Sequence, residues 1–218
     1  MNVAVVVPAL QSNRYHPEGD LALFGDVTLL EWKLSQLREA FPLDHIYLSC
    51  PQQRVAQLAQ FSLSKQVNLV QRPEGQSFLD FIASVCRMAP QENLMVAPPI
   101  TPFMGADIYR RVLEAFANLG SEHDSVVTAV ELREYIYDSQ GKPVNFSSLV
   151  SRQEISPVFQ VVNGCYLTPK ETLLRNHHQY GERPLFLPVD RLSALEVKTA
   201  EDLQMARALL PNHIQTRL

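Results

Sequence analysis

Five consecutive apolar residues, Val3 to Val7, open the chain and give way to Pro8-Ala9. A short Val-rich run without alternation describes a strand covered on both faces, as in the centre of a parallel sheet. The chain is then polar as far as Asp20, and a loop leaving the carboxyl end of such a strand is where open α/β sheets hold their ligands. Apolar residues next recur with helical spacing at Leu29, Leu30, Trp32, Leu34 and Leu37, which predicts a helix over 28–40 with Thr28 as its N-cap. The alternation continues, with strands predicted at 45–50, 67–70, 93–97 and 125–132 and helices at 53–61, 77–88 and 105–119. Pro73 ends the third strand; Pro98, Pro99 and Pro102 cut off the fourth.

From Arg133 the pattern changes. Tyr135 to Val144 reads as a hairpin about Gln140-Gly141, and Val158 to Leu167 as further strand material. We read residues 133–167 as a β-rich arm inserted before the last parallel strand, a natural place for a subunit contact. A short helix at 169–176, a strand at 192–197 and a closing helix at 199–210 follow, the last with Thr199 and Asp202 close to a capping box. The few residues after Pro211 are expected to be loose. The expected fold is one α/β domain over 1–218, a mostly parallel sheet flanked by helices.

Composition narrows the function classes. With 46% hydrophobic and 19% charged residues the chain is ordinary for a soluble globular protein. A net charge of −4 offers no long-range attraction to nucleic acid or anionic membrane. Cys50, Cys86 and Cys165 are far apart with no CxxC, and read as buried free thiols in a reducing compartment. No apolar run approaches the ~20 residues of a membrane span, and the first residues are too strand-like for a signal peptide, so a cytoplasmic location is expected. His16, His123, His177 and His178 lack zinc-ligand spacing. There is no GxSxG elbow, no GxGxxG and no Walker loop.

Several collinear segments together resemble one family. Val5-Val-Val-Pro-Ala9, the polar loop with Pro17, and Leu29-Leu-Glu-Trp32 are similar to the opening of the acylneuraminate cytidylyltransferases: strand, PARxGSKGIPGKN, then a helix beginning PLIxW. Arg72-Pro73 with Ser77 to Asp80 resembles the family's RP…SSLD, and Val96 to Ile108 its LLQPTSPLRTAEDI. Arg152-Gln153 leading to Asn163-Gly164 resembles RRQDLP…NGAIYI, and Ser193 to Leu203 resembles SIDIDTEEDF. The resemblance implies a nucleotide-diphospho-sugar transferase-like fold, a homodimer, and transfer of CMP from CTP to a nonulosonic, sialic-acid-type sugar. It places the nucleotide on Ala9, Leu10, Asn13, Arg14, Asp20, Arg72 and Ser77. The sugar falls on Arg152, Gln153 and Asn163, a Mg²⁺ ion on Glu196, and the catalytic charge on Arg14 and Lys198.

The departures are as informative. The family loop neutralises a triphosphate with an Arg and a Lys, and lets backbone N–H groups approach it through Gly and Ser. Here the Arg position is Leu10, the second Lys position is Gly19, and Glu18 and Asp20 add two carboxylates, leaving Arg14 to hold phosphate. The IDID segment that supplies metal carboxylates reads Leu195-Glu196-Val197-Lys198, so one carboxylate position carries an ammonium. Two readings are open: Lys198 acts as a tethered cation beside the phosphates, or the site has decayed and Lys198 pairs with Glu196 or Asp20. Likewise the fourth-strand motif has become Pro98-Pro99-Ile100, which reads as packing and turn, with Thr101 keeping a hydroxyl. The alternative to an active cytidylyltransferase is a divergent member that binds nucleotide or sugar, or serves in assembly, without catalysis.

Overall fold

The computed structural model describes residues 2–9, 14–50, 58, 62–148 and 150–215. Its centre is β1, Val3–Pro8, every residue of which is buried. Val3, Val5 and Val7 face one core cluster and Ala4 and Val6 face another. That two-residue period is why the run shows no alternation in sequence: both faces are covered.

Strand β1 pairs in parallel with β4 (Ile46–Cys50) on one side and β6 (Asn93–Val96) on the other. Outside β4 lies β5, Asn68–Gln71. Beyond β6 come β8 (Val158–Pro169), β7 (Ser125–Leu132) and β9 (Pro184–Pro188), giving a seven-stranded sheet in the order β5-β4-β1-β6-β8-β7-β9. Only β8 runs against the rest, since it pairs antiparallel with both β6 and β7 while β7 and β9 pair in parallel. Helices α1 (Leu29–Leu37) and α3 (Ala106–Ala117) fill one face through Leu30, Leu34, Leu37, Ile108, Tyr109 and Val112. On the other face lie α2 (Phe78–Met88), with Phe81, Ile82, Val85 and Cys86, and α4 (Lys170–Asn176), with Leu173. A closing helix α5, Ala200–Gln215, packs Leu203, Ala206 and Leu210 against Tyr15, Phe24 and Phe103.

The expected α/β architecture is thus present, with differences in detail. The strand material from Val158 is an internal strand of the main sheet, so only residues 133–157 stand outside it. Within them the hairpin closes through Asp138 N–H to Lys142 O and Val144 N–H to Ile136 O. Residues 192–197 form no strand. Asp190 accepts from the Ser193 N–H and hydroxyl at 2.9 and 2.6 Å, which folds 190–194 into a turn. The last parallel strand is instead β9. The chain directly after Pro211 is helical where looseness was expected: α5 runs through the proline to Gln215, and His213 is buried against Phe103 and Trp32, while 216–218 lie outside the described residues. A two-residue hairpin, β2 (Leu23–Phe24) with β3 (Val27–Thr28), turns at Gly25, whose φ of +69° is open to glycine. Of the helix expected at 53–61, Leu58 alone lies within the described residues; it is helical and buried.

Candidate functional site

The strand order reverses at β1: the chain moves outward to β4 and β5, then returns to β6 on the other side. Ligands of open α/β sheets sit outside the carboxyl ends of the strands at such a switch point. A cleft of about 390 Å³ is found there, lined by Pro8, Val96, Pro98, Pro99, Ile100 and Phe78, with Asp20, Arg72, Asn163 and Gln179 as its polar members. An apolar lining with a few converging polar groups is the usual make-up of a small-molecule site.

Each polar member is held by its neighbours. Arg72 lies 5.8 Å over the Phe78 ring and donates from Nε and Nη2 to the Gln76 carbonyl at 3.1 and 2.8 Å. Burial lowers its pKa from the ordinary value, though a guanidinium stays charged at any physiological pH. Asp20 is buried and accepts from the Tyr15 hydroxyl, on the single turn Gly19–Leu21 that ends the loop after β1. Asn163 accepts at Oδ1 from the Tyr166 hydroxyl at 2.9 Å. Burial first, then the charge of Glu196, pushes the Tyr166 phenol up, so it remains a neutral donor.

Asn163 reaches the cleft because the sheet slips beside it. Pairing of β7 with β8 passes from Val127↔Tyr166 directly to Ala129↔Val161, so β8 advances five residues where β7 advances two. Residues 162–165 therefore bulge out of the ladder, a device that re-aims side chains next to sites. Thr128 closes the gap: its hydroxyl donates to Cys165 O and accepts from Cys165 N–H, both at 3.1 Å. Gly164 lets the bulge lie close on Met104, since a Cβ there would displace the end of the Met104 side chain.

A second cleft of about 350 Å³ lies on the far side of the bulge, lined by Val130, Leu132, Gln160, Val162, Arg191, Ala194 and Glu196. The seam between the two clefts is polar. Asn163 N–H donates to Glu196 Oε1 at 3.0 Å, and Lys198 Nζ stands 2.9 Å from Glu196 Oε2. The carboxylate is largely buried, at 11% side-chain exposure, while the Lys198 ammonium is 65% exposed and faces outward. Val197 N–H to Ile100 O at 2.8 Å ties this segment to the wall of the first cleft.

The structure brings Asp20, Arg72 and Asn163 into the first cleft and joins Glu196 and Lys198 to them through the Asn163 backbone. Ala9 is buried at the end of β1, its N–H on Ser49 O. Arg14 is exposed in the turn before Tyr15; Leu10 and Asn13 lie outside the described residues. Ser77 does not line the cleft: it is the N-cap of α2, accepting from Asp80 N–H and donating to Asp80 Oδ2. Arg152 and Gln153 are exposed on a turn of the arm, with Arg152 3.3 Å from Glu134. Glu134 also lies 3.7 Å from Arg191, and so links Arg152 to the rim of the second cleft. Sequence reasoning missed Phe78, Gln179 and Arg191. Phe78 was assigned only to the helical stripe of α2, and Gln179 follows two histidines that drew the attention instead.

Of the carboxylate positions expected for Mg²⁺, Glu196 is the one that keeps a carboxylate. Glu196 already meets a backbone N–H and an ammonium, and among the described residues no three His, Cys, Asp or Glu side chains cluster as a metal site. The three thiols are buried, and burial pushes Cys86 up to about 11 and Cys165 higher still, so neither is a nucleophile at neutral pH.

This architecture, a mostly parallel seven-stranded sheet with a switch-point cleft, is the nucleotide-diphospho-sugar transferase fold. The chain belongs to the family of MobA-like NTP transferase domains, whose sequence profile matches residues 4–216. No protein of curated function matches the sequence. Among solved structures, a CMP:2-keto-3-deoxy-manno-octonic acid synthetase complexed with CTP superposes with a TM-score of 0.71 at 13% identity, over 97% of this chain and 99% of that one. The 4-diphosphocytidyl-2C-methyl-D-erythritol synthase of Anaerococcus prevotii gives 0.69 at 14% identity over 96% and 98%. The bifunctional IspDF of Campylobacter jejuni gives 0.68 at 12% identity over 94% of this chain, which spans 54% of that one. These likenesses show the fold. The family match agrees with the nucleotidyltransferase class implied by the sequence resemblance.

Proposed function

We propose that the protein transfers a nucleotidyl group, with CTP in the switch-point cleft and an acidic sugar of the nonulosonic type in the second cleft. The carrying observation is that Asn163, which lines the first cleft, donates to Glu196, which lines the second and holds Lys198. In this reading the sugar's anomeric hydroxyl attacks the α-phosphorus in line, the bond to the β-phosphate oxygen breaks, and pyrophosphate leaves. Lys198 stabilises the charge that builds on the phosphate oxygens as a tethered cation. Glu196 and the Asn163 N–H keep Lys198 in place, and Arg14 meets the outer phosphates. Asp20, Asn163 and Gln179 present hydrogen-bonding groups to the nucleobase and ribose, with Arg72 and Phe78 as the stacking wall. Arg191 lines the second cleft and is linked through Glu134 to Arg152, and these two guanidiniums are assigned to a sugar carboxylate. With the metal carboxylate replaced by Lys198, nucleotide binding is expected to depend little on Mg²⁺. The homodimer and cytoplasmic location expected from sequence belong to the same reading. The exposed Tyr135, Tyr137 and Val144 of the arm are the contact we assign to the dimer.

A second reading, nucleotide or sugar binding without transfer, is favoured by a specific observation. The cationic and acidic groups at the seam are already paired with each other, and a buried carboxylate, Asp20, lines the cleft that would receive a polyanion. Pyrophosphate release, measured with CTP, GTP, UTP and ATP against a panel of nonulosonic acids, separates the two. Turnover with one pair supports transfer. Saturable nucleotide binding without turnover on any acceptor supports the binding reading, and the absence of both sinks the proposal.

A further inference from the structure

A fully buried ammonium stands outside every role described so far. Lys33, in the middle of α1, places Nζ 2.9 Å from Thr101 O, 3.2 Å from Met104 O and 2.7 Å from the Tyr109 hydroxyl, and 5.3 Å from the centroid of the Tyr109 ring. An ammonium has three N–H donors, and these are three acceptors. Taking a charge out of water is costly, and a Met or Leu would fill the same space without that cost, so the lysine is retained for what its charge holds. Its neighbours on the helix aim at the same turn: Trp32 Nε1 and Gln36 Nε2 both donate to Pro102 O, at 2.6 and 2.7 Å. Three carbonyls of the 101–104 turn thus point at one face of α1.

That turn is the continuation of the cleft wall. Pro98, Pro99 and Ile100 line the switch-point cleft immediately before it, and Met104 packs on Gly164, next to Asn163. We propose that Lys33 is a positioning residue for the ligand site. Its charge fixes the 98–104 turn against α1 and, through Met104, holds the Asn163–Gly164 bulge at the depth the nucleotide needs. The inference rests on the nucleotide reading of the cleft, but its first readout does not require a ligand.

The test compares wild type, Lys33→Met and Lys33→Arg by amide hydrogen exchange, thermal melting and CTP binding by calorimetry. The expected result for Lys33→Met is a folded protein whose exchange rises at least tenfold in 97–105 and 160–166, with β1 and β4 unchanged and CTP affinity at least tenfold weaker. Lys33→Arg, which keeps the charge, restores part of both. If exchange in those segments is unchanged, or rises equally throughout the sheet, the positioning role is wrong and Lys33 is either inert or a general stabiliser. A wild-type chain that binds no nucleoside triphosphate overturns the reading of the cleft, while exchange still judges the hold of Lys33 on the turn. Should Lys33→Met not fold, Tyr109→Phe removes one acceptor while keeping the ring, and a smaller rise confined to the same two segments is then required.

Discussion

Lys198 serves both stability and, on the proposed reading, function. Its own side chain is mostly exposed, but its partner Glu196 is largely buried, so removing the ammonium strands a carboxylate inside the protein. Lys198→Ala is therefore expected to lower the melting temperature and to weaken CTP binding about tenfold, the ~1.4 kcal/mol typical of one charge-assisted contact. Repeating the titration with Mg²⁺ and with EDTA tests the tethered cation: a strong Mg²⁺ requirement in wild type sinks it. Tyr166→Phe removes the donor that orients Asn163 and should cost about 1–2 kcal/mol of stability, seen as a lower denaturation midpoint, together with weaker nucleotide binding. Thr128→Val should be the more damaging change. It leaves both the Cys165 N–H and C=O without their side-chain partner inside the sheet, at a cost of about 1–3 kcal/mol.

Among the elements, the two best-capped helices lend themselves to test. Helix α1 begins in a reciprocal capping box, with Thr28 Oγ1 accepting from Glu31 N–H and Glu31 Oε2 accepting from Thr28 N–H. Thr28→Ala should cost about 1 kcal/mol by chemical denaturation. Helix α5 begins at Ala200, and in its first turn Asp202 accepts from the N–H groups of Lys198 and Thr199 at 3.0 and 2.8 Å. Slight burial alone would raise its pKa, but these hydrogen bonds prevail and hold it below the ordinary carboxylate value. A carboxyl group depressed in the folded state stabilises above its unfolded value, near pH 4, and that contribution is lost as pH falls through the folded value. Melting temperature should thus drop more steeply below about pH 4 in wild type than in Asp202→Asn.

The strands and helices legible in sequence were those whose signal is periodic or uninterrupted: the Val3–Val7 run, Ser125–Leu132, and the stripes of α1, α2 and α3. Strand β8 was legible as strand but not as antiparallel, because side-chain period carries no direction and the arm before it hid a return into the sheet. The bulge at 162–165 was invisible for the same reason, although the Asn163-Gly164 dipeptide marked its place. At the site, Asp20, Arg72, Asn163 and Glu196 could be found by resemblance, whereas Lys33 could not. Read by periodicity alone, a lysine on an amphipathic helix belongs in solvent, and only the three-dimensional meeting of α1 with the 101–104 turn gives it a buried partner set.

At the scale of the whole molecule, the arm is tied to the second cleft by Glu134, a carboxylate between the guanidiniums of Arg152 and Arg191. If the arm mediates a dimer as proposed, sedimentation velocity should find a dimer that Tyr137→Glu converts to monomer. No helix among the described residues is long and apolar enough to cross a membrane. The outermost strand beyond β7, β9, begins and ends in proline, Pro184 and Pro188. A proline has no N–H to offer an incoming strand, so the sheet's open rim on this side presents a short and interrupted template to other chains. The colloidal consequence is concrete. Replacing both prolines with valine should leave the fold intact yet make concentrated solutions cloud on warming, because the rim would then accept a neighbour's backbone along its full length.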